Sequence, residues 1–174
     1  MKHFTLLFFL VLSSLLDAQV LISPIDAMHE NYADDATISK KNMLLTQTKF
    51  QNIQNIAQVK LDTKIYRVYS ASKNGKVLGY GILINRKVRS KNAVVLYMIA
   101  QNRLQDIEII AFNEPKEYLP TKRWSAQFQN RDTEKMLHLS HEIPSISGAT
   151  LSARSVTDAS RIAFALYNEL LKGK

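Results

Sequence analysis

Apolar residues at helical spacing mark the last part of the chain, from Ile146 to Leu170. Their recurrence every three or four positions predicts a helix with one buried face. They are Val156, Ala159, Ala163, Leu166 and Leu170. Ser155 with Asp158 three residues later is a capping pair, which predicts that the helix begins there. The small residues just before it would then form a loop ahead of the helix.

The middle of the chain has the alternating pattern of β-strands. Residues Lys64 to Phe112 divide into four strands at polar turns, of which Asn74-Gly75 is a typical hairpin turn. The segment from Thr37 to about Ala57 is predicted as one helix, because its apolar residues share a helical face and no Gly or Pro interrupts it. The order predicts an α+β domain, in which an antiparallel sheet with meander topology is flanked by an N-terminal and a C-terminal helix.

Two smaller patterns predict local packing. Gly79 and Gly81 lie inside a predicted strand, where glycine is typical of a bulge, of sheet curvature, or of a place that another surface approaches closely, so that a ligand could lie there. Arg123 to Phe128 is predicted as a short helix. Its Trp124 is interpreted as a core residue, with flavin stacking as the alternative.

The N-terminus has the pattern of an export signal. Lys2 is followed by an apolar run from Phe4 to Leu16, and small or polar residues follow, so we expect residues 1–18 to be removed near Ala18. The run is shorter than the roughly 20 residues of a membrane-spanning helix, although a retained anchor is the alternative. Residues 19–36 are predicted as a linker, and residues 37–174 as the folded domain.

The composition limits the number of domains and excludes several kinds of cofactor site and partner. The 174 residues, 46% of them hydrophobic, are enough for one domain. The chain has no cysteine, which excludes disulfides, thiolate-held iron–sulfur clusters and c-type haem attachment. The formal net charge is +8, but the Lys and Arg residues are scattered, so nucleic acid is not predicted as a partner.

The loop before the last helix has the composition of a phosphate site. Backbone N–H groups at a helix N-terminus, with the positive end of the helix dipole, attract anions. Glycine and alanine permit close approach of a ligand, while hydroxyls and a nearby cation offer further contacts. The candidate residues are Ser147, Gly148, Ala149, Thr150, Ser152 and Arg154. A simple turn and helix cap is the alternative interpretation.

The string SGATLSARSVTDA resembles the signature of the FMN-binding domain family, as in the flavin subunits C and G of sodium-pumping NADH:quinone reductase and Rnf complexes. In covalently flavinylated members, the threonine of Ser-Gly-Ala-Thr carries FMN through a phosphoester, installed from FAD by a flavin transferase. The resemblance therefore implies FMN attached at Thr150. It also implies an electron carrier in the periplasm or at the outer face of the cytoplasmic membrane, with a redox protein or membrane electron-transport complex as its partner. Such a carrier would be a component of a redox system and not a stand-alone enzyme.

The chain departs from the family pattern in two places. Pro144 stands where relatives usually have an acidic residue three positions before the serine, and Glu142 lies two residues earlier. In the turn after the fourth strand, only Glu114 and Pro115 match the Glu-Thr-Pro-Gly of relatives. Covalent FMN, noncovalent FMN and a domain that has lost its flavin therefore stay open.

Two other functions are compatible with the sequence. One is a non-enzymatic exported module that binds an anionic ligand or a protein partner with the same loop. The other is a metal site at His138 and His141. No third ligand is evident there, so a metal ion is not predicted.

Overall fold

Six strands form one antiparallel sheet in chain order in the computed structural model, which describes residues 20–173. The strands are β1 (Thr37–Leu44), β2 (Ile65–Lys73), β3 (Lys76–Lys87), β4 (Asn92–Ala100), β5 (Arg103–Phe112) and β6 (Arg131–Asp132). The helices are α1 (Pro24–Asn31), α2 (Gln47–Ala57), α3 (Lys122–Ser125) and α4 (Thr150–Leu170), with 3₁₀ helices at Lys116–Tyr118 and Ala126–Phe128. The predicted α+β class and meander are confirmed.

Helices cover both faces of the sheet. Helices α2 and α4 pack over one face, where the larger hydrophobic core includes Tyr97 and Ile99 of β4. Helix α1 packs on the other face, where Leu96 and Met98 of the same strand join a second core. Because successive side chains of a strand point to opposite faces, β4 is buried on both sides.

Helix α4 begins earlier than its sequence predicts. All five apolar residues of the predicted face are buried. The capping prediction is wrong, because the Ser155 hydroxyl donates to the carbonyl of Lys87 at 3.1 Å and Asp158 pairs with Arg161 at 3.6 Å. The helix starts at Thr150, so that residue belongs to the first turn and not to a preceding loop.

The segment from Thr37 to Ala57 is not a single helix, which corrects the prediction. Its first part is β1, which pairs in register with β2 from Thr37 opposite Ser72 to Leu44 opposite Ile65. Thr46 caps the following helix α2 by accepting the N–H of Lys49 at 3.3 Å. Strand β1 lies at the sheet edge with most of its side chains exposed, so it lacks the apolar alternation that would identify a strand.

The segment predicted as a linker, residues 19–36, contains helix α1. Ser23 caps the helix and Pro24 occupies its first turn. Met28 of α1 is fully buried against the sheet, and a Cβ at Gly81 would collide with its sulfur. A Cβ at Gly79 would likewise collide with the ring of Tyr32. Of the alternatives considered for these glycines, the structure shows the close approach of another surface, which is α1 with its C-cap residue Tyr32.

The remaining expectations concern α3 and the N-terminus. The short helix is confirmed, and Trp124 is buried with its indole Nε1 donating to the carbonyl of Pro144 at 2.8 Å. The predicted export signal lies outside the described residues. Between residues 20 and 173, no helix is long and apolar enough to cross a membrane.

Candidate functional site

An open cavity of about 250 Å³ adjoins the N-terminus of α4. Three segments that are distant in sequence line it: the turn after β3, the segment after β5, and the start of α4. The lining residues are Val88, Arg89, Glu114, Tyr118, Gly148, Ala149, Thr150, Leu151 and Ser152. Four of the six candidate residues therefore line one cavity.

The first turn of α4 has unpaired backbone donors. Gly148 has φ +79°, a left-handed conformation that favours glycine, and the N–H of Ala149 donates back to Ile146. No acceptor within residues 20–173 receives the N–H groups of Thr150, Leu151 or Ser152, and Ala149 at the N-cap has no side-chain acceptor. This helix terminus therefore carries uncompensated positive partial charge at the cavity.

Thr150 occupies the first position of the helix and is exposed. Its hydroxyl donates to the carbonyl of Ile146 at 3.3 Å, which is long for an O–H···O hydrogen bond. The oxygen therefore remains accessible at the cavity, next to the unpaired N–H groups. A hydroxyl in this place is suitable for bonding to a phosphate or for attachment to one.

The other candidate residues divide into two groups. Ser152 is only 1% exposed and lines the cavity beside the buried Ala149. Ser147 and Arg154 are exposed and lie outside the cavity lining. Helical geometry places Arg154 one turn beyond Thr150. The cation in the cavity lining is instead Arg89, which the sequence shows only as part of a turn.

Glu114 holds the turn that carries Arg89. Its carboxylate is 7% exposed and accepts the backbone N–H groups of Arg89 at 3.1 Å, Ser90 at 2.6 Å and Lys91 at 2.7 Å. The Ser90 hydroxyl adds a further bond. These hydrogen bonds, the one from Lys91 foremost, lower the pKa of Glu114 against the opposing effect of burial. An ionised Glu114 therefore fixes one wall of the cavity.

Glu142, the acidic residue two positions before Pro144, takes part in a turn of its own. Its carboxylate accepts the N–H of His138 at 2.8 Å and lies 3.5 Å from Nδ1 of the same residue. The hydrogen bond from this N–H is the main cause that lowers the pKa of Glu142. Glu142 is therefore engaged in the turn at residues 138–142.

The rings of His138 and His141 stand with their centroids 6.4 Å apart. Within residues 20–173, no cluster of three or more His, Cys, Asp or Glu side chains could hold a metal ion. The geometry therefore offers no support for the metal site considered from the sequence.

Residues 89–165 match the family model of the FMN-binding domain. The matched range includes the cavity residues from Arg89 to Ser152 and most of α4. No curated protein matches the chain significantly. The match confirms the resemblance on which the FMN prediction rests, and it supports a flavin-binding, electron-transfer role.

The cavity residues fit the two chemical parts of FMN. Unpaired N–H groups and the Arg89 cation are suitable for a phosphate. Val88, Tyr118 and Leu151 offer apolar and aromatic surface for a flat ring. Leu151 is 47% exposed although it is apolar, so a ring packed against it would also cover exposed hydrophobic surface.

Proposed function

We propose that this chain, whose residues 89–165 match the model of the FMN-binding domain, carries FMN through a phosphoester at Thr150 and acts as an exported electron-transfer protein. The observation that supports this most directly is the position of the Thr150 hydroxyl. It is exposed at a helix N-terminus with unpaired N–H groups, beside the cavity lined by Arg89 and apolar side chains, which we call the FMN cavity.

The attachment step conserves charge and oxidation state. The Thr150 oxygen attacks the phosphorus of FAD that belongs to its FMN half, and the P–O bond to the AMP half breaks. AMP leaves and takes up the hydroxyl proton, so neither partner is oxidised or reduced. A flavin transferase would catalyse the step, since the cavity holds no base beside Thr150 other than the fully engaged Glu114.

The resulting diester phosphate would keep one negative charge at the start of α4. The helix dipole stabilises an anion in such an exposed place by about 0.3 to 1 kcal/mol. The N–H groups of Leu151 and Ser152 would donate to the phosphate oxygens, and Arg89 would add a cation from the opposite wall. Attachment through Thr150 would therefore satisfy groups that have no partner within the described residues.

The size of the cavity indicates that the ring would be only partly covered. Cavities that enclose a whole ligand measure about 300 to 1,000 Å³. This open cavity, of about 250 Å³, would leave part of the ring at the protein surface. FMN supplies transfer of one or two electrons when bound, and an exposed ring edge allows a redox partner to approach. A covalent bond would prevent loss of the cofactor from such an open site.

Export gives the covalent bond a further purpose. Outside the cytoplasm, released FMN would be lost by dilution, whereas a phosphoester retains it. We therefore place the protein in the periplasm or at the outer face of the cytoplasmic membrane, with a redox protein or membrane electron-transport complex as its partner. Fractionation of cells that express the full chain tests this location, and recovery in the cytosol alone would contradict it.

The attachment is tested by co-expression with a flavin transferase, denaturation and mass measurement. The expected product is yellow and heavier by FMN less the water lost in forming the ester. Thr150→Ala should abolish the gain, whereas Ser147→Ala, which removes a neighbouring exposed hydroxyl, should keep it. An unmodified mass without colour, even after FMN is added, would overturn the proposal. Such a result would favour the alternative of a binding module without flavin.

A further inference from the structure

A second and larger cavity lies along the outer edge of β5. It measures about 620 Å³ and has α1 on one flank and the segment of residues 119–129 on the other. Apolar lining comes from Leu21, Ile22, Met98 and Leu119. We call this cavity the β5 groove.

The edge of β5 in this groove lacks a neighbouring strand. At one end, β6 pairs with Arg103 and Leu104, and at the other, Val20 forms a bridge with Ala111. Within the described part of the chain, residues 105–109 have no strand partner on this side. The N–H of Ile107 donates to the side chain of Asp106 at 2.8 Å. An open edge of five residues is about 17 Å long, the length of a short strand.

The β5 groove is acidic although the chain is cationic. Glu30, Asp106 and Glu108 line it, with Lys122 as the cation among its lining residues. Burial raises the pKa of Glu108; Lys122 opposes this, while Asp106 and Glu30 add to the increase. Negative charge is therefore concentrated here on a protein whose formal net charge is +8.

The groove also contains an acceptor without a donor. The side-chain oxygen of Asn31 is buried and has no hydrogen-bond partner within residues 20–173. The carboxylates of the groove favour an occupant that brings positive charge.

We propose that the β5 groove binds an extended segment of a partner protein that contains lysine or arginine. The segment would add a strand at residues 105–109, with alternate side chains directed to the carboxylates and to the apolar lining. The exposed β1 edge of a second copy is a poorer candidate, since its eight residues exceed the five-residue gap.

This docking surface is distinct from the FMN cavity but is connected to it through one short segment. Tyr118 lines the FMN cavity, and the next residue, Leu119, lines the β5 groove. A bound partner would therefore contact the chain directly beside the FMN cavity. The inference does not depend on flavin attachment, because the groove shares no lining residue with the FMN cavity.

The experiment uses the purified chain without flavin and a fluorescent pentapeptide of alternating lysine and valine, which matches the five-residue gap. Binding is measured by fluorescence anisotropy, and the site is mapped by amide chemical shifts. We expect saturable binding with shifts at residues 105–109 and in α1. A control peptide with glutamate in place of lysine should not bind. A second control peptide, methylated at alternate backbone nitrogens, should not bind either, since strand addition needs those N–H donors.

Charge variants test the groove itself. Glu108→Gln and Glu30→Gln should each weaken binding by about two- to fivefold, the range expected for loss of one exposed ion pair. Glu169→Gln, on the exposed side of α4, should leave binding unchanged. Equal binding of the lysine and glutamate peptides, shifts confined to another surface, or dimerisation through this edge would each overturn the proposal.

Discussion

Glu114 shapes the candidate site indirectly, because it fixes the turn that carries Arg89. It accepts three consecutive backbone N–H groups, so an internal anion fills the concave turn at residues 89–91. This leaves the Arg89 side chain at the cavity wall while the backbone donors of its own turn are already satisfied. An external phosphate is thereby left to the N-terminus of α4.

Replacement of Glu114 tests this role. Glu114→Gln should lower the free energy of unfolding by about 1 to 3 kcal/mol, because an amide oxygen is a weaker acceptor for three buried donors. It should also weaken binding of added FMN, because the Arg89 turn would become mobile. Urea unfolding and FMN titration measure the two effects, and Glu169→Gln is the matched control.

The pH dependence gives a second measure of Glu114. Its pKa is lowered in the folded chain, so its stabilisation is present above the ordinary value of 4.5 and is lost as pH falls through the folded pKa. Acid destabilisation of the wild type should therefore be steeper than that of Glu114→Gln. Parallel curves for the two proteins would contradict an ionised, hydrogen-bonded Glu114.

Pro144 is the residue at which this chain departs from the pattern for flavin attachment. It is exposed, and its carbonyl receives the Trp124 indole N–H, a bond that any residue at this position can accept. Pro144→Asp should therefore keep the fold and increase the fraction of chains that carry flavin after co-expression with a flavin transferase. Mass measurement gives the fraction; an unchanged or smaller fraction would show that the acidic residue is not what limits attachment here.

At the scale of elements, the sequence predicts secondary structure correctly for those helices and strands that bury a continuous apolar face. Strands β2 to β5 and helix α4 meet this condition, and their alternation or helical spacing identifies them. Strand β1 does not, since Ser39, Lys40 and Lys41 are exposed on an edge, and its pairing with β2 overrides its local pattern. Helix α1 is missed because eight residues with two buried side chains give little periodicity.

The candidate site was predictable only in part for a related reason. Thr150 and its neighbours are consecutive, so the motif identifies them. Arg89, Glu114 and Tyr118 reach the same cavity from other segments, and only the pairing of β3, β4 and β5 brings these segments together. Residue order alone gives no means of choosing Arg89 over Arg154 as the cation at the cavity.

Tyr97 connects the sheet to α4 below the site. It is fully buried, and its hydroxyl donates to the carbonyl of Val156 at 2.7 Å. Tyr97→Phe should lower the free energy of unfolding at neutral pH by about 0.5 to 1.5 kcal/mol through loss of this bond. Thermal or urea unfolding measures the change.

The effect of Tyr97 on stability should also depend on pH in alkaline solution. Burial raises the pKa of Tyr97 well above its ordinary value of 10.0, so the folded chain holds this proton more tightly than the unfolded chain. Stability from this residue is present below pH 10 and is lost as pH rises beyond it. Tyr97→Phe should have a shallower alkaline decline, and equal declines would contradict the assignment.

At the scale of the whole molecule, the N-terminal segment is part of the folded unit. Helix α1 covers Leu96, Met98 and Tyr69 on the second face of the sheet. A chain that begins at Thr37 should therefore expose this apolar face and aggregate, whereas one that begins at Gln19 should stay monomeric. Size-exclusion chromatography of the two lengths tests this, and a monomeric shorter chain with an unchanged melting temperature would contradict it.

The bridge between Val20 and Ala111 has a consequence for how the protein is held in the cell. In the sequence, the predicted cleavage site near Ala18 is two positions before Val20, so a retained leader would be joined to the sheet through about two residues. A leader that stayed in the bilayer would hold the domain close to the lipid headgroups, because no long flexible linker would separate the two. If such a leader were removed, the domain would instead diffuse freely, and the proposed electron transfer could serve donors and acceptors that lie far apart.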